Sequence, residues 1–106
     1  MATAKIYPGN CGYSTHVEAT QDGDVVKLAI SSDCSAIQKL AQELVEVNPY
    51  QEISFRRSMP HILQMGAKYC THAACPVPVG IIRAVEVEAG LALPIDMTIQ
   101  LSKSST

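Results

Sequence analysis

Two alternating runs joined by Asp22-Gly23 constrain this chain more than any other feature. In the first, Tyr13, Thr15, Val17 and Ala19 share one face, and Ser14, His16, Glu18 and Thr20 share the other. In the second, Val26, Leu28 and Ile30 alternate with Lys27, Ala29 and Ser31. A period of two with one apolar face is the pattern of a strand covered on one side. Gln21-Asp22-Gly23-Asp24 between them reads as a hairpin turn, with Asp-Gly supplying the positive φ angles such turns need.

The rest of the chain supplies neighbours for that hairpin. Ala2 to Tyr7 reads as a short strand ended by the turn signal Pro8-Gly9-Asn10. Ser32-Asp33-Cys34-Ser35 starts a helix, capped by Asp33 or Ser35, with Ser35 to Gln38 fitting a capping box. It is expected to run to about Val47, burying Ile37, Leu40, Ala41, Leu44 and Val45, until Asn48-Pro49 stops it. Gln51 to Arg57 fits either a short strand or a turn of helix. Ser58 is the expected cap of a short helix carrying Met59, Ile62, Leu63 and Met65, with Gly66 near its end. A further helix opens at Pro76, a residue favoured at the first helical position, and stops at Gly90. Ile95, Met97, Ile99 and Leu101 alternate with Asp96, Thr98 and Gln100, which predicts a last strand. Ser102 to Thr106 reads as a frayed end. The expectation is a single α+β domain over residues 1–106: a small, largely antiparallel sheet with two main helices packed on one face. The core is aliphatic, because the chain has one Phe and no Trp.

Several function classes fall away. The net charge is -2 and the only basic cluster is Arg56-Arg57, whereas a nucleic-acid site needs a basic stripe. The most apolar stretch near the C-terminus is broken by Arg83, Glu86 and Glu88, so no membrane span is expected. The N-terminus lacks the apolar run of a signal peptide, which makes a cytoplasmic location the expectation. There, four cysteines read as metal ligands or redox thiols; in a secreted chain they would instead pair, in one of three ways. No phosphate loop, paired-carboxylate motif or Ser-His-Asp order is visible, and nothing here supports enzymatic activity.

The cysteines are spaced C-x22-C-x35-C-x4-C, at Cys11, Cys34, Cys70 and Cys75, each at a junction between elements. Cys34 and Cys75 stand at helix N-termini, where free N–H groups and the helix dipole favour a thiolate. Each terminus contributes roughly 0.3–1 kcal/mol in exposed settings, so the dipoles assist such a site without creating it. If the four junctions share one edge of the sheet, the thiols suit tetrahedral Zn²⁺ or an iron–sulfur cluster. Against this stands the ordinary role of a buried free cysteine as a small hydrophobe.

Cys11-Gly12, Ser32-Asp33-Cys34-Ser35-Ala36-Ile37 and the run from Cys70 through Ala74-Cys75-Pro76 resemble the TSCPD domain, which occurs alone and at the C-terminus of vitamin-B12-dependent ribonucleotide reductases. The resemblance covers roughly residues 10–89 and puts the four cysteines on that domain's four cysteine positions, in order. Asp33 replaces a Gly of the pattern, Ala73-Ala74 its Thr-Ser, and Val77 its Asp. The resemblance implies a metal or redox centre and names no substrate.

His72 lies between Cys70 and Cys75, as a ligand substitute, a hydrogen-bonding neighbour of the ligands, or an exposed loop residue. His16 reads as part of a solvated strand face, and His61 as surface. Three functions remain open. One is a metal-binding module with an iron–sulfur or zinc site, acting as an accessory or electron-transfer unit beside an unidentified protein partner. Another is a thiol redox protein or regulator using Cys70 and Cys75. The third is an interaction domain whose cysteines are structural.

Overall fold

A computed structural model describes residues 1–105; of the expected frayed end, Thr106 lies outside the described residues. The elements run β1 (Ala2–Ile6), β2 (Thr15–Asp22), β3 (Val25–Ser32), α1 (Ser35–Glu43), β4 (Glu46–Val47), α2 (Pro49–Glu52), α3 (His61–Tyr69) and α4 (Val77–Glu88). The strands form one antiparallel sheet in the order β1-β2-β3-β4.

The hairpin forms where the alternation puts it. Asp22 pairs with Val25, so the two turn residues are Gly23 and Asp24, one step later than Asp22-Gly23. Only Gly23 has positive φ, at 63°, which is the type II′ pattern with glycine first. Val17, Ala19, Val26 and Leu28 are buried on one face, while Lys27, Ala29 and Ser31 are exposed on the other. α1 packs on β3, and α4 on β1 and β2, over that buried face. The core joins these strand residues to Ile37, Leu40, Ile62, Ile81 and Val85. The α+β sheet-and-helix architecture is thus the expected one.

Four local expectations are corrected. α1 stops at Glu43 instead of about Val47, because β-branched Val45 and Val47 leave the helix: Val47 extends β4 against Val26, and the Val45 carbonyl accepts from the Leu28 N–H at 2.9 Å. Val45 is consequently exposed while Leu44 stays buried. Cys34 itself is the N-cap of α1, without a side-chain cap, and the Gln38 amide reaches past it to the Ser32 carbonyl at 2.8 Å. Ser58 caps nothing. α3 starts after Pro60, and its first N–H groups are taken by Glu52, a carboxylate only 2% exposed: Ile62 N–H donates at 2.7 Å and His61 N–H at 3.2 Å. Met59 is left outside the helix and Gly66 falls within it. Finally, Ile95 to Leu101 is not a strand of this sheet; the segment joins no ladder, and its apolar side chains are exposed.

The two ends of the sheet differ. At one end, Glu88 on the last turn of α4 accepts from the Gln21 N–H at 2.9 Å and pairs with the N-terminal ammonium at 3.4 Å. At the other, β1 ends, β2 begins and β3 ends together, since Ile6 pairs with Thr15 and Thr15 with Ser32. α4 begins at that second end: a Cβ on Gly80 would stand 2.7 Å from Ile6 Cγ1. No described helix is long and apolar enough to cross a membrane.

Candidate thiol site at one end of the sheet

All four cysteines belong to the second end. Cys11 sits in the β1–β2 loop, in a turn that runs from Gly9 to Gly12, a step later than Pro8-Gly9-Asn10; Gly9 and Gly12 have positive φ and the Gly12 N–H bonds the Gly9 carbonyl at 3.0 Å. Cys34 follows β3, Cys70 ends α3, and Cys75 lies one residue before Pro76, the N-cap of α4. Pro76 is therefore not the first helical residue, and Pro78 takes a first-turn position instead.

Ser32 holds Cys34 in place. Its hydroxyl accepts from Thr15 Oγ1 at 3.0 Å and from the Cys34 N–H at 3.1 Å, and donates to the Ser14 carbonyl at 3.1 Å. One donor and two acceptors are all a serine hydroxyl has, so it is saturated. The result links the start of β2 to the start of α1.

Two glycines hold the other pair. Gly66 on α3 lies so close to α4 that a Cβ there would stand 2.6 Å from Pro78 Cγ. The Gly66 carbonyl accepts from the Cys70 N–H at 2.8 Å, which closes α3 at that cysteine. A turn follows, with Cys75 N–H donating to the His72 carbonyl at 3.2 Å. The Gly66–Pro78 contact on one side and the Gly80–Ile6 contact on the other fix how α4 meets α3 and the sheet, and so bring Cys70 and Cys75 together.

Cys70 and Cys75 border one groove, and Cys34 lies near enough to act on Cys70 through its charge. Burial first, then the charge of Cys75, and last the charge of Cys34 push the Cys70 thiol from its ordinary value near 9.0 up to about 12. Cys34, Cys70 and Cys75 are all half-buried against the hydrophobic core, whereas Cys11 is exposed. The four thus belong to one end of the fold, with Cys75 and Cys34 both acting on Cys70. Among the described residues, no group of three or more His, Cys, Asp or Glu side chains stands where it could hold a metal ion. The donor set is nonetheless the soft one that Zn²⁺ and iron–sulfur centres take.

An open groove of about 440 Å³ lies beside the pair, lined by Leu63, Gly66, His72, Pro78 and Val79 as well as both cysteines. His72 is exposed there, its Nδ1 3.5 Å from Thr71 Oγ1. His16 lies on the open face of the sheet against Glu18 at 3.4 Å, and His61 is exposed. The sequence marks Ser32 only as part of a helix start and Gly66 only as near a helix end, and it leaves the role of Gly80 unread. An isolated glycine inside a helical apolar run signals a close approach, and Gly80 offers that signal.

No curated protein and no solved structure matches the chain. A family model does, across residues 2–101, which takes in the whole sheet, the helices, all four cysteines and the apolar alternation that ends at Leu101. By that match the chain belongs to the family of unknown function DUF6951.

Proposed function

We propose that the protein is a small metal-binding module in which Cys34, Cys70 and Cys75, joined by Cys11, hold Zn²⁺ or an iron–sulfur centre. The observation that carries this reading is that the β3–α1 junction with Cys34 and the groove bordered by Cys70 and Cys75 lie at the sheet end from which the Cys11 loop also springs. The TSCPD resemblance points the same way. Thiolates crowded together repel one another, and a cation among them relieves that repulsion. Cys34 at the N-cap of α1 and Cys75 just before α4 would also present thiolates to two helix N-termini. Cys11, on its exposed loop, would join as the fourth donor on binding, so that uptake and ordering of residues 7–14 are coupled. Held this way, zinc would act as a structural tie and an iron–sulfur centre as an electron carrier.

Metal analysis of protein purified without oxygen tests this, alongside Cys75→Ser and Cys11→Ser. The expected result is one centre per chain, lost in Cys75→Ser and weakened in Cys11→Ser; broad visible absorption selects iron, and colourless protein with bound metal selects zinc. A metal-free wild type refutes the proposal. A second reading, a redox dithiol, is favoured only by Cys70 and Cys75 bordering the same groove. It requires loss of two thiols on mild oxidation in metal-free protein, and unchanged thiol titration ends it.

A further inference from the structure

The segment after α4 is built as a strand without a sheet. α4 closes with the Leu91 N–H on the Glu86 carbonyl at 2.8 Å and the Gly90 N–H on Val87 at 3.2 Å, around Gly90 at φ 76°. That paired pattern is a Schellman stop, and it sets the exit direction of the chain. From Ile95 onward the alternation is clean, yet Ile95 is 65% exposed, Ile99 83% and Leu101 90%. The molecule measures 54 × 28 × 26 Å. Its long axis is nearly twice the other two, and the apolar side chains of this segment are left uncovered.

The sheet has a matching free edge. β1 pairs only with β2 and turns Ala2, Ala4 and Ile6 toward the helix layer, with Thr3 and Lys5 on the open face. We propose that Ile95–Ile99 of one copy adds antiparallel to β1 of a second copy, reciprocally, making the protein a strand-exchanged dimer. One register satisfies both faces at once. Ile95 falls opposite Ile6, and Met97 and Ile99 fall opposite the small Ala4 and Ala2 on the helix side. On the open side, Asp96 falls opposite Lys5 and Thr98 opposite Thr3, an ion pair and a Thr–Thr pair of the kinds that stabilise neighbouring strands. The direction also fits. α4 delivers the chain at the Met1 end of β1, where Glu88 meets the N-terminus, so a strand returning from there runs in the sense of its own β1. A two-fold axis perpendicular to the strands reverses the partner's β1, which makes that strand antiparallel to it. Because each copy gives its tail and accepts its partner's across the same two-fold axis, the exchange closes at two copies. The match to the family extends to Leu101, so this segment is part of the shared domain.

Sedimentation equilibrium of the full chain and of a chain ending at Leu93 is the test, with circular dichroism to confirm that both are folded. The full chain is expected to be a dimer and the shortened chain a folded monomer. Lys5→Glu and Asp96→Lys should each weaken the dimer about two- to fivefold, the size of an exposed cross-strand charge pair, and the double exchange should restore it. A monomeric full chain, or a dimer that survives the truncation, overturns the proposal. So does a dimer lost on truncation but indifferent to both charge reversals, because the tails would then be pairing elsewhere than on β1.

Discussion

Gly66→Ala is the change that separates packing from helix propensity most sharply. Gly66 lies inside α3, where alanine is favoured over glycine by about 1 kcal/mol, so propensity alone predicts a stabler protein. The added methyl, however, would stand 2.6 Å from Pro78 Cγ and 3.2 Å from its Cβ, against an ordinary carbon–carbon contact of about 3.5–4.0 Å. Pro78 is buried, and its ring has no side-chain rotation by which to retreat. Relief therefore requires α3 and α4 to part by roughly 1 Å, and overpacking of that kind costs about 1–3 kcal/mol. The net expectation is a loss of about 1 kcal/mol, read as a fall in the thermal midpoint of roughly 4–8 °C for a domain near this size. The same parting draws Cys70 from Cys75, since Gly66 bonds the Cys70 N–H and Pro78 stands three residues beyond Cys75. Thermal unfolding followed by circular dichroism, with the disulfide yield under mild oxidation in metal-free protein, gives both readings. A Gly66→Ala protein that melts higher than wild type refutes the close-contact argument outright.

Glu52→Ala should cost more, about 3–5 kcal/mol, because it removes two charge-assisted bonds at the start of α3 and leaves buried N–H groups without acceptors. Glu52→Gln, which keeps one carbonyl oxygen, should fall between it and wild type in urea unfolding; equal stability of all three would remove Glu52 from the account of α3. Glu88 predicts an acid effect. The Gln21 N–H and then the N-terminal ammonium hold its carboxyl below the ordinary value near 4.5. Its contribution is accordingly full above that value and is lost as pH falls through the lower folded value. Urea midpoints of wild type and Glu88→Gln should differ at neutral pH and converge in acid; a gap unchanged from pH 7 down to the acid limit would contradict this.

The sheet was legible because its signals are local. Alternation and a glycine turn need only neighbours in sequence, and they located β2, β3 and their buried face. The errors arise where distant residues decide. Nothing near Ser35 reveals that Ser32, eighteen residues from Ser14, carries the hydroxyl network that positions Cys34. Nothing near Pro60 reveals that a glutamate nine residues upstream of His61 replaces a local cap. The sequence pattern of Val45-Glu46-Val47 continued the helical stripe equally well, and pairing with Val26 decided for the strand. For the site, junction positions identified the cysteines, whereas the close contacts that draw Cys70 and Cys75 together depend on two glycines whose packing partners lie on other elements. Ile95 to Leu101 is a different case. Its alternation specifies a strand, yet the segment joins no ladder of its own sheet.

These features divide the molecule along the sheet. At the Glu88 end, β1, β2 and α4 are tied by a backbone bond and an ion pair to one carboxylate. At the cysteine end, the ties are a serine hydroxyl and two close glycine contacts, and the loop carrying Cys11 stands out in solvent. A centre bound by thiolates from the β1–β2 loop, β3–α1 junction and α3–α4 turn would cross-link three connections that the polypeptide leaves separate. The binding free energy would then appear as stability of that end alone. Hydrogen exchange offers a view of this division: metal should slow exchange in residues 7–14 and 70–76 while leaving the strands near Gln21 and Val25 as they were. Uniform protection throughout the domain would mean that the two ends unfold as one unit, and the division would fail.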